Sequence, residues 1–491
     1  MEPTTQAGNL ARRAVRGAAA TGVSQLARLV LQVSSVVVLA RLLTPRDYGL
    51  VAMVLAVIGL AEFLRDFGLG AAAVRAETLS RRERDNLFWL NAGLGTAFTV
   101  LTMACAPLLS HLYDRPELTM ITLALAPTFM LSGLGAQYRV DLLRRLKFGT
   151  LAWFDVLSAG LALTIGISLA FAGAGYWALV TQQVASGIIT LVLLVVVCRW
   201  RPRRYDRSTE VAGFVRLGSA FVFGSVMAYV SRNVDNVIVG HQFGAQTLGA
   251  YTRSVQLVRT PLTQIQGPFA TVAVPVLIAA GADDRRLLNA AQKGQVALSY
   301  PIMAAAATIV AGAVPLVELA LGPQWSSASA LVVWVAVGAG ASCLSTPATW
   351  LFSVRGLGSA ITGYNLSATV ITVLLLVLGS NYGVEGVAAA AAAAAALGWP
   401  LALHFAHRQG HFAVGGLLRS GLRTAAVALV AGAAGRRTVG AVGDHAPWLQ
   451  VAVAASTVVL IFVAAMAAPG YRRDFDHLRS MGSMLLPRRR A

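Results

Sequence analysis

The chain has 491 residues, of which 56% are hydrophobic and 12% are charged, and its mean hydropathy is +0.66. Soluble domains carry about 25% charged residues, so this composition excludes an array of soluble domains and indicates a polytopic membrane protein. The 40 Lys and Arg residues against 21 Asp and Glu residues give a net charge of +19.

Cysteines and lysines exclude several further classes of protein. The three cysteines, Cys105, Cys198 and Cys343, lie in apolar segments, and their odd number and unpaired spacing argue against disulfides and against a zinc site. The lysines are Lys147 and Lys293, and neither follows a glycine, so the GK[ST] motif of a P-loop is missing. We therefore predict no cofactor, no metal ion and no nucleotide-driven step.

Apolar segments of about 20 residues, long enough to span a bilayer, recur along the chain and predict an all-α polytopic membrane protein. About fourteen spanning helices are predicted, over residues 21–42, 48–67, 87–110, 118–136, 150–172, 176–198, 217–240, 257–280, 295–321, 327–349, 360–379, 384–406, 419–435 and 448–468. The twelfth contains nine consecutive alanines, 388–396, and we expect this small surface to pack closely against its neighbours.

The distribution of basic residues sets the orientation of these helices. With the N-terminus in the cytoplasm, 29 Lys and Arg residues lie inside, seven lie outside and four lie within spans. This predicts cytoplasmic termini, and it explains the net charge by topology, so no nucleic-acid partner is needed. Residues 137–148 form an amphipathic segment, which we expect to lie along the inner membrane surface after the fourth helix.

Short matches between the two halves of the chain indicate an internal repeat. Three pairs of dipeptides correspond, at offsets of 200, 208 and 208: Tyr48-Gly49 with Leu248-Gly249, Pro107-Leu108 with Pro315-Leu316, and Gly175-Tyr176 with Gly383-Val384. The repeat predicts two six-helix bundles related by a pseudo-two-fold axis, with a cavity between them. The predicted domains are 1–205 and 206–412, the two bundles, and 413–491, two additional helices with a basic cytoplasmic tail. Residues 199–207 are the cytoplasmic linker.

Polar residues within spans are costly and mark functional positions. Two helices each carry four polar residues on one face: Gln25, Arg28, Gln32 and Ser35 on the first helix, and Ser225, Arg232, Asp235 and Asn236 on the seventh. The offset of 200 superposes the two stripes, so we expect both to face the shared cavity. The alternative is an internal pair of Arg232 with Asp235 that only stabilises the fold.

Two further groups of charges leave alternatives open. Asp155 in the fifth helix either carries a coupling proton or neutralises a cavity arginine. Glu62, Arg65 and Asp66, at the cytoplasmic end of the second helix, either contribute to the site or pair only with one another.

A family resemblance lies in residues 40–75, ARLLTPRDYGLVAMVLAVIGLAEFLRDFGLGAAAVR. This segment resembles bacterial polysaccharide exporters of the oligosaccharide flippase (Wzx-like) family, within the multidrug/oligosaccharidyl-lipid/polysaccharide export superfamily. Residues 231–251 and 319–328 are similar to the same family. Within the first segment, Arg46 stands where an acidic residue is expected from the family. The resemblance implies two six-helix lobes in the bacterial inner membrane. It also implies export of a polyprenyl-diphosphate-linked oligosaccharide from the inner to the outer leaflet, for lipopolysaccharide or exopolysaccharide biosynthesis, beside other polysaccharide-assembly membrane proteins.

Arginine suits such a substrate, because its planar guanidinium binds phosphate oxygens in pairs. We assign substrate binding to six polar residues: Arg28, Arg232, Gln32, Gln25, Asn236 and Arg65. Without a nucleotide site an ion gradient must drive transport, and the ion-coupling candidates are Asp155, Asp235 and Asp66.

Other functions compete with this one. A peptidoglycan-precursor flippase would need the same arginines, whereas a multidrug exporter would present an acidic or aromatic cavity to its cations. A membrane glycosyltransferase or polymerase belongs to a different class, and Asp474-Phe475-Asp476 matches its metal-binding DxD motif. Such enzymes carry larger extramembrane domains than the gaps between these spans allow, and a structural scaffold would leave the polar stripes unexplained. The sequence therefore favours a transporter that is not an enzyme.

Overall fold

The computed structural model describes residues 25, 27–66, 69–76, 79–198, 200–206, 212–281, 283–443, 445–471 and 474. Helices form the regular structure of these residues, which confirms the predicted all-α class. Contacts within the chain divide it into two compact units, Met1–Gly249 and Ala250–Ala491.

The described part of the first unit contains nine helices and the beginning of a tenth. They are 27–42 (α1), Pro45–Asp66 (α2), Leu69–Arg75 (α3), Arg81–Ala104 (α4), Ala106–Tyr113 (α5), Glu117–Leu125 (α6), Pro127–Arg144 (α7), Phe148–Phe171 (α8) and Tyr176–Val197 (α9). The tenth, Ala212–Ala279 (α10), continues into the second unit and is broken at Gly244, where φ is 79° and ψ is 179°.

The second unit continues after α10 with a similar series. Its helices are Asp284–Ala311 (α11), Ala313–Ala320 (α12), Ala328–Cys343 (α13), Thr346–Val354 (α14), Gly358–Ser380 (α15), Gly383–Gly410 (α16), Gly415–Val442 (α17) and Pro447–Ala467 (α18). Short 3-10 turns cover Pro323–Trp325 and Pro469–Tyr471.

Side-chain caps fix where α4 and α11 begin. Ser80 and Glu83 form a capping box: Ser80 Oγ accepts the backbone N–H of Glu83 at 3.2 Å, and Glu83 Oε2 accepts that of Ser80 at 2.7 Å. Asp283 Oδ1 accepts the backbone N–H groups of Arg285 and Arg286 at 2.9 and 3.3 Å. Each cap satisfies N–H groups that the start of a helix leaves without an intrahelical partner.

The order of elements repeats as the dipeptide matches predict. An eight-residue helix with a proline in its first turn follows both α4 and α11. Gly175 and Gly383, at the starts of α9 and α16, both have positive φ, 54° and 81°. The break between α1 and α2 at Thr44 corresponds, 200 residues later, to the break of α10 at Gly244.

Two glycines of the first unit form a reciprocal close contact. A Cβ on Gly49 would overlap the carbonyl oxygen of Ala245, and a Cβ on Gly249 would overlap that of Pro45. Positions 45 and 245, like 49 and 249, differ by the repeat offset of 200, so the contact maps onto itself under the repeat. Only glycine allows two helical backbones to approach so closely at both places.

Ten helical segments are long and apolar enough to cross a membrane: Arg81–Ala104, Glu117–Arg144, Phe148–Phe171, Tyr176–Val197, Asp284–Ala311, Ala328–Val354, Gly358–Ser380, Gly383–Gly410, Gly415–Val442 and Pro447–Ala467. The protein is therefore a multi-pass membrane protein. The other four predicted spans correspond to α1, α2 and the two parts of α10, so the number fourteen stays a prediction. Residues 241–256, which lie between the predicted seventh and eighth spans, are helical apart from a break at Gly244.

The described part of the predicted linker, residues 200–206, is held against α4. Asn86 donates from Nδ2 to the carbonyl oxygen of Asp206 at 2.7 Å and accepts the backbone N–H of Asp206 at 2.8 Å. Trp200 donates from Nε1 to Asp85 at 2.9 Å. These contacts involve side chains that are almost fully buried, so the linker has a defined path at this end of the first unit.

The prediction that residues 137–148 lie on the membrane surface is wrong. The helix α7 continues without interruption to Arg144, and Asp141 is buried, where it accepts hydrogen bonds from Arg84 Nη1 at 2.5 Å and from Cys198 Sγ at 3.2 Å. Arg145 Nε lies 2.9 Å from the same carboxylate. Burial, together with the adjacent carboxylate, raises the pKa of the Cys198 thiol to about 11.

Candidate functional site

Charged side chains from three helices of the first unit meet at Asp155. Arg139 of α7 donates two hydrogen bonds to Asp155 of α8, from Nη1 to Oδ1 and from Nη2 to Oδ2, each 3.0 Å long. Arg28 of α1 places Nη2 2.5 Å from Oδ2 of the same carboxylate. The Asp155 side chain is 18% exposed, against 44% for Arg28 and 45% for Arg139. Two arginines therefore share one carboxylate at a partly buried position.

The cluster Arg28–Asp155–Arg139 carries a net charge of +1, from two guanidinium groups and one carboxylate. Each guanidinium has five N–H donors, and the contacts with Asp155 use two donors of Arg139 and one of Arg28. The remaining donors are available on the exposed part of each side chain. Such a fork binds phosphate or carboxylate oxygens in pairs, so the cluster can hold an anionic group.

Arg139 lines two cavities of the first unit. The larger has a volume of about 620 Å³, within the range of sites that hold small molecules. Its lining is mostly apolar, and its polar groups are Arg139, Glu62, Gln183 and hydroxyl side chains of α7 and α9. The smaller has a volume of about 250 Å³ and is lined by Gln25, Arg28, Arg139 and Asp155. The positive cluster therefore stands at the wall of two cavities whose linings are mostly apolar.

The structure brings three of the predicted site residues together, namely Gln25, Arg28 and Asp155. Asp155 contacts both Arg28 and Arg139, and its two predicted roles, a proton carrier or a carboxylate that neutralises a cavity arginine, both stay predictions. Gln32 lies one turn further along α1 and is not among the residues that line these two cavities.

Two predicted residues on α10 belong to a different polar group. Asp235 is 7% exposed, and its Oδ1 accepts the backbone N–H of Asn236 at 2.9 Å. Asn236 donates from Nδ2 to Asn233 Oδ1 at 3.4 Å, and Asn233 donates to the carbonyl oxygen of Tyr229 at 3.0 Å. These contacts run along α10 itself.

Three predicted site residues, Arg232, Arg65 and Asp66, have side chains outside the described residues. Their backbones belong to α10 and α2. Their assignments stay predictions, and so does the choice between a cavity-facing Arg232 and an internal pair of Arg232 with Asp235.

Arg139 is absent from the predicted site because residues 137–148 are expected on the membrane surface. A signal exists in the spacing of the charges. The helices α7 and α8 join through residues 145–147, where Leu146 has a φ of 55°. Positions 139 and 155 lie eight residues on either side of Lys147, and such positions face each other in an antiparallel helical hairpin. An opposite-charge pair at equal distances from the turn therefore predicts the contact.

The DxD motif has another role in the described part of the chain. Asp474 is buried, its Oδ2 accepts a hydrogen bond from the Tyr300 hydroxyl at 3.1 Å, and its Oδ1 lies 3.6 Å from Arg423 Nη1. Asp476 lies outside the described residues. Among those described, no group of three or more His, Cys, Asp or Glu side chains could hold a metal ion.

Sequence comparison finds bacterial relatives named for polysaccharide biosynthesis. The teichuronic acid biosynthesis protein TuaB of Bacillus subtilis is 24% identical over 270 residues, which cover 55% of this chain and 56% of that protein. The lipopolysaccharide biosynthesis protein WzxC of Escherichia coli is 23% identical over 328 residues, 65% of each chain. The matched segments therefore span between about half and two thirds of these relatives.

Two kinds of transporter have similar solved structures. The lipid II flippase MurJ, in an inward closed conformation, gives a TM-score of 0.74 at 13% identity and covers 93% of this chain and 99% of its own. An inward-facing multidrug resistance MATE family transporter of the MOP superfamily gives a TM-score of 0.60 at 15% identity, with 81% and 95% covered. At these identities the likeness shows the fold alone.

A family model described as "Polysaccharide biosynthesis protein" matches residues 38–330, more than half of the chain. The match includes the three segments that carry the resemblance to Wzx-like exporters, and WzxC is among the relatives, so the predicted resemblance is confirmed. The chain belongs to the polysaccharide biosynthesis protein family.

Proposed function

We propose that the protein moves a polyprenyl-diphosphate-linked oligosaccharide from the inner to the outer leaflet of the bacterial inner membrane, for cell-surface polysaccharide biosynthesis. The observation that carries the proposal is the cluster Arg28–Asp155–Arg139, because two guanidinium groups at the wall of two cavities complement the negative charge of a diphosphate. In this proposal the diphosphate and the sugars occupy protein while the prenyl chain stays in lipid. The family and the fold support it.

Ion coupling follows from competition for the same donors. A diphosphate that approaches the cluster competes with Asp155 for the N–H groups of Arg28 and Arg139. When phosphate oxygens take these donors, the carboxylate loses its partners and accepts a proton more readily. Binding of the proton and binding of the diphosphate then favour each other, as linkage requires. Asp155 is the first coupling candidate on this argument, and Asp235 and Asp66 are the alternatives.

Substitution of Arg139 and Arg28 tests the proposal. Lysine at either position keeps the charge but loses the forked geometry, so translocation should fall while the protein persists in the membrane. Alanine should reduce it further, roughly tenfold to hundredfold, since a hydrogen bond to a charged group is worth about 1.5–3 kcal/mol. The measurement is lipid-linked oligosaccharide that reaches the outer leaflet, normalised to protein level in the same membranes.

Arg46 provides the matched control. It forms a 2.7 Å ion pair with Glu117, both side chains are partly exposed, and neither residue lines the two cavities. Exposed pairs of this kind contribute about 0–1 kcal/mol, so Arg46→Ala should leave translocation near the wild-type level. Normal translocation by both Arg139→Ala and Arg28→Ala would overturn the assignment, and so would an equal loss in Arg46→Ala.

Flipping of a peptidoglycan precursor is the second candidate, since the fold resembles that of the lipid II flippase MurJ. Expression in cells depleted of their own lipid II flippase separates the two, because restored growth would identify this alternative. A positive cluster disfavours export of cationic drugs. Asp474 is engaged by Tyr300 and Arg423, which disfavours a metal-dependent glycosyltransferase. We infer a transporter without catalytic chemistry, with both termini in the cytoplasm, as the distribution of basic residues supports.

A further inference from the structure

The second unit contains a groove of about 220 Å³ between α10, α13 and α16 that the diphosphate site does not use. One wall is formed by Arg259, Leu262, Thr263 and Gln266 of α10. Their spacing of i, i+3, i+4 and i+7 places them on one face of the helix. This wall supplies a guanidinium, an amide and the acceptor lone pairs of Thr263 Oγ1, whose hydroxyl donates to the carbonyl oxygen of Thr260 at 2.9 Å.

The facing wall on α16 consists of methyl groups. Ala388, Ala391, Ala392 and Ala395 line the groove with the same helical spacing, so one face of the alanine run is the wall. A Cβ on Gly338 of α13 would lie 3.1 Å from the Cα of Ala392, which shows that α13 and α16 pack closely, as predicted for this run. Small side chains therefore allow α13 and α16 to pack closely and leave the groove open beside that contact.

Aromatic side chains complete the groove. Trp334 of α13 lines it with 39% of its surface exposed, and Tyr251 of α10 lines it as a buried residue. The lining residues include no Asp or Glu. An aromatic face beside hydroxyl, amide and guanidinium groups suits a sugar ring, whose C–H face packs on the aromatic ring while its hydroxyls form hydrogen bonds.

We propose that this groove is a subsite for one sugar ring of the transported glycan, with Trp334 as the stacking platform and Arg259, Thr263 and Gln266 as hydrogen-bonding partners. The inference rests on the proposed function, because it assigns a part of that substrate. The volume lies below the roughly 300–1,000 Å³ of sites for drug-sized ligands, so the groove holds a single ring. A hydrocarbon chain would leave the half-buried amide of Gln266 facing an apolar ligand.

Substitutions on two walls test the subsite. Trp334→Ala removes the platform, Trp334→Phe retains a smaller one, and Ala391→Leu fills the groove. The matched control is Ala393→Leu, which adds the same volume on the exposed face of the same alanine run. The probe is the oligosaccharide fragment released from the strain's own surface polysaccharide, titrated into the purified proteins by isothermal calorimetry, which needs no tryptophan at the site. Tryptophan fluorescence is a second readout for the variants that retain Trp334. Translocation of lipid-linked oligosaccharide is measured in cells.

The dissociation constant for the fragment should rise about tenfold or more in Trp334→Ala and Ala391→Leu. It should rise less in Trp334→Phe and stay unchanged in Ala393→Leu. Translocation should follow the same order. Normal fragment binding by Trp334→Ala and Ala391→Leu would overturn the subsite while the proposed function stands.

The titration also separates the two proposals. If the wild type translocates no lipid-linked oligosaccharide, the proposed function fails, whereas loss of fragment binding in Trp334→Ala would still support the sugar site. Phospholipid vesicles without glycan provide the opposite test. A fluorescence change on adding them that Ala391→Leu abolishes would identify an acyl chain as the occupant and overturn the proposal.

Discussion

The larger cavity of the first unit and the groove of the second unit are lined by corresponding helices but differ in chemistry. Gln183 of α9 lines the cavity, and Ala391, 208 residues later on α16, lines the groove. Glu62 of α2 lines the cavity, and Leu262, 200 residues later on α10, lines the groove. Two repeats of one helical framework therefore position a cavity in the same way and fill it with different side chains.

The charged cluster has no counterpart at the equivalent positions of the second unit. Pro347 and Gly363 stand 208 residues after Arg139 and Asp155. Both units keep corresponding backbone elements, whereas the cluster Arg28–Asp155–Arg139 belongs to the first unit. The framework therefore determines where a ligand can bind, and individual side chains determine which ligand binds. We accordingly propose the first unit as the site of the diphosphate and the proton, and the second unit as the site of a sugar ring.

Neutralising Asp155 should have the largest effect on translocation, because it removes the carboxylate of the charged cluster that distinguishes the first unit from the second. Asp155→Asn keeps the shape of the side chain but cannot exchange a proton with the gradient, and it leaves Arg28 and Arg139 without their shared anion. Translocation should fall at least about tenfold, and the remainder should no longer depend on a proton gradient. The measurement is translocation in membrane vesicles with and without an imposed pH difference.

The second unit supplies the comparison for that experiment. Arg259→Gln should weaken substrate affinity while translocation still responds to the pH difference, because Arg259 belongs to the sugar groove. A normal response to the pH difference in Asp155→Asn would transfer the coupling role to Asp235 or Asp66.

The reciprocal glycine contact gives a test of what the repeats share. Gly49→Ala and Gly249→Ala should each lower the free energy of unfolding by about 1–3 kcal/mol, because each new Cβ meets a backbone oxygen. The two losses should be similar, since the contacts correspond under the repeat. Gly93→Ala in α4, where a Cβ would meet nothing within 4 Å, is the control and should not destabilise. Thermal unfolding of the three variants is measured in one detergent. A large difference between the losses in Gly49→Ala and Gly249→Ala would show that the two corresponding contacts contribute unequally to stability.

Loss of a helix cap should have the smallest effect and should be similar in both units. Ser80→Ala removes the capping box of α4, and Asp283→Ala removes the acceptor for two N–H groups of α11. Each should cost about 1 kcal/mol. The assay is again thermal unfolding, and a loss confined to one helix would show that the two starts are stabilised differently.

Much of the fold follows from local patterns in the sequence. Apolar length predicts the ten apolar spans, and the matched dipeptides predict equivalent breaks such as those at Gly175 and Gly383. The polar stripe on α1 predicts that Arg28 faces a cavity shared by the two bundles, and this stays a prediction; in the structure Arg28 lines a small cavity within the first unit. These features depend on residues close together in the chain, so a single sequence contains them.

The remainder depends on tertiary contacts that no local pattern encodes. Residues 137–148 have the alternation of a surface helix, yet Asp141 is buried because Arg84 and Cys198 reach it from other helices. Arg139 is missed for the same reason. Periodicity identifies a polar face, but the partner that covers the face comes from a distant part of the chain.

The contact of Gly49 and Gly249 bears on the origin of the molecule. Residue 49 meets residue 245 while residue 249 meets residue 45. In an oligomer, a patch that binds its own copy in this way is isologous, and such an interface closes at two subunits. The same geometry inside one chain is what duplication and fusion of a gene for a homodimer would produce. Divergence after fusion could then add charge to one copy and an aromatic groove to the other, which two identical subunits cannot do.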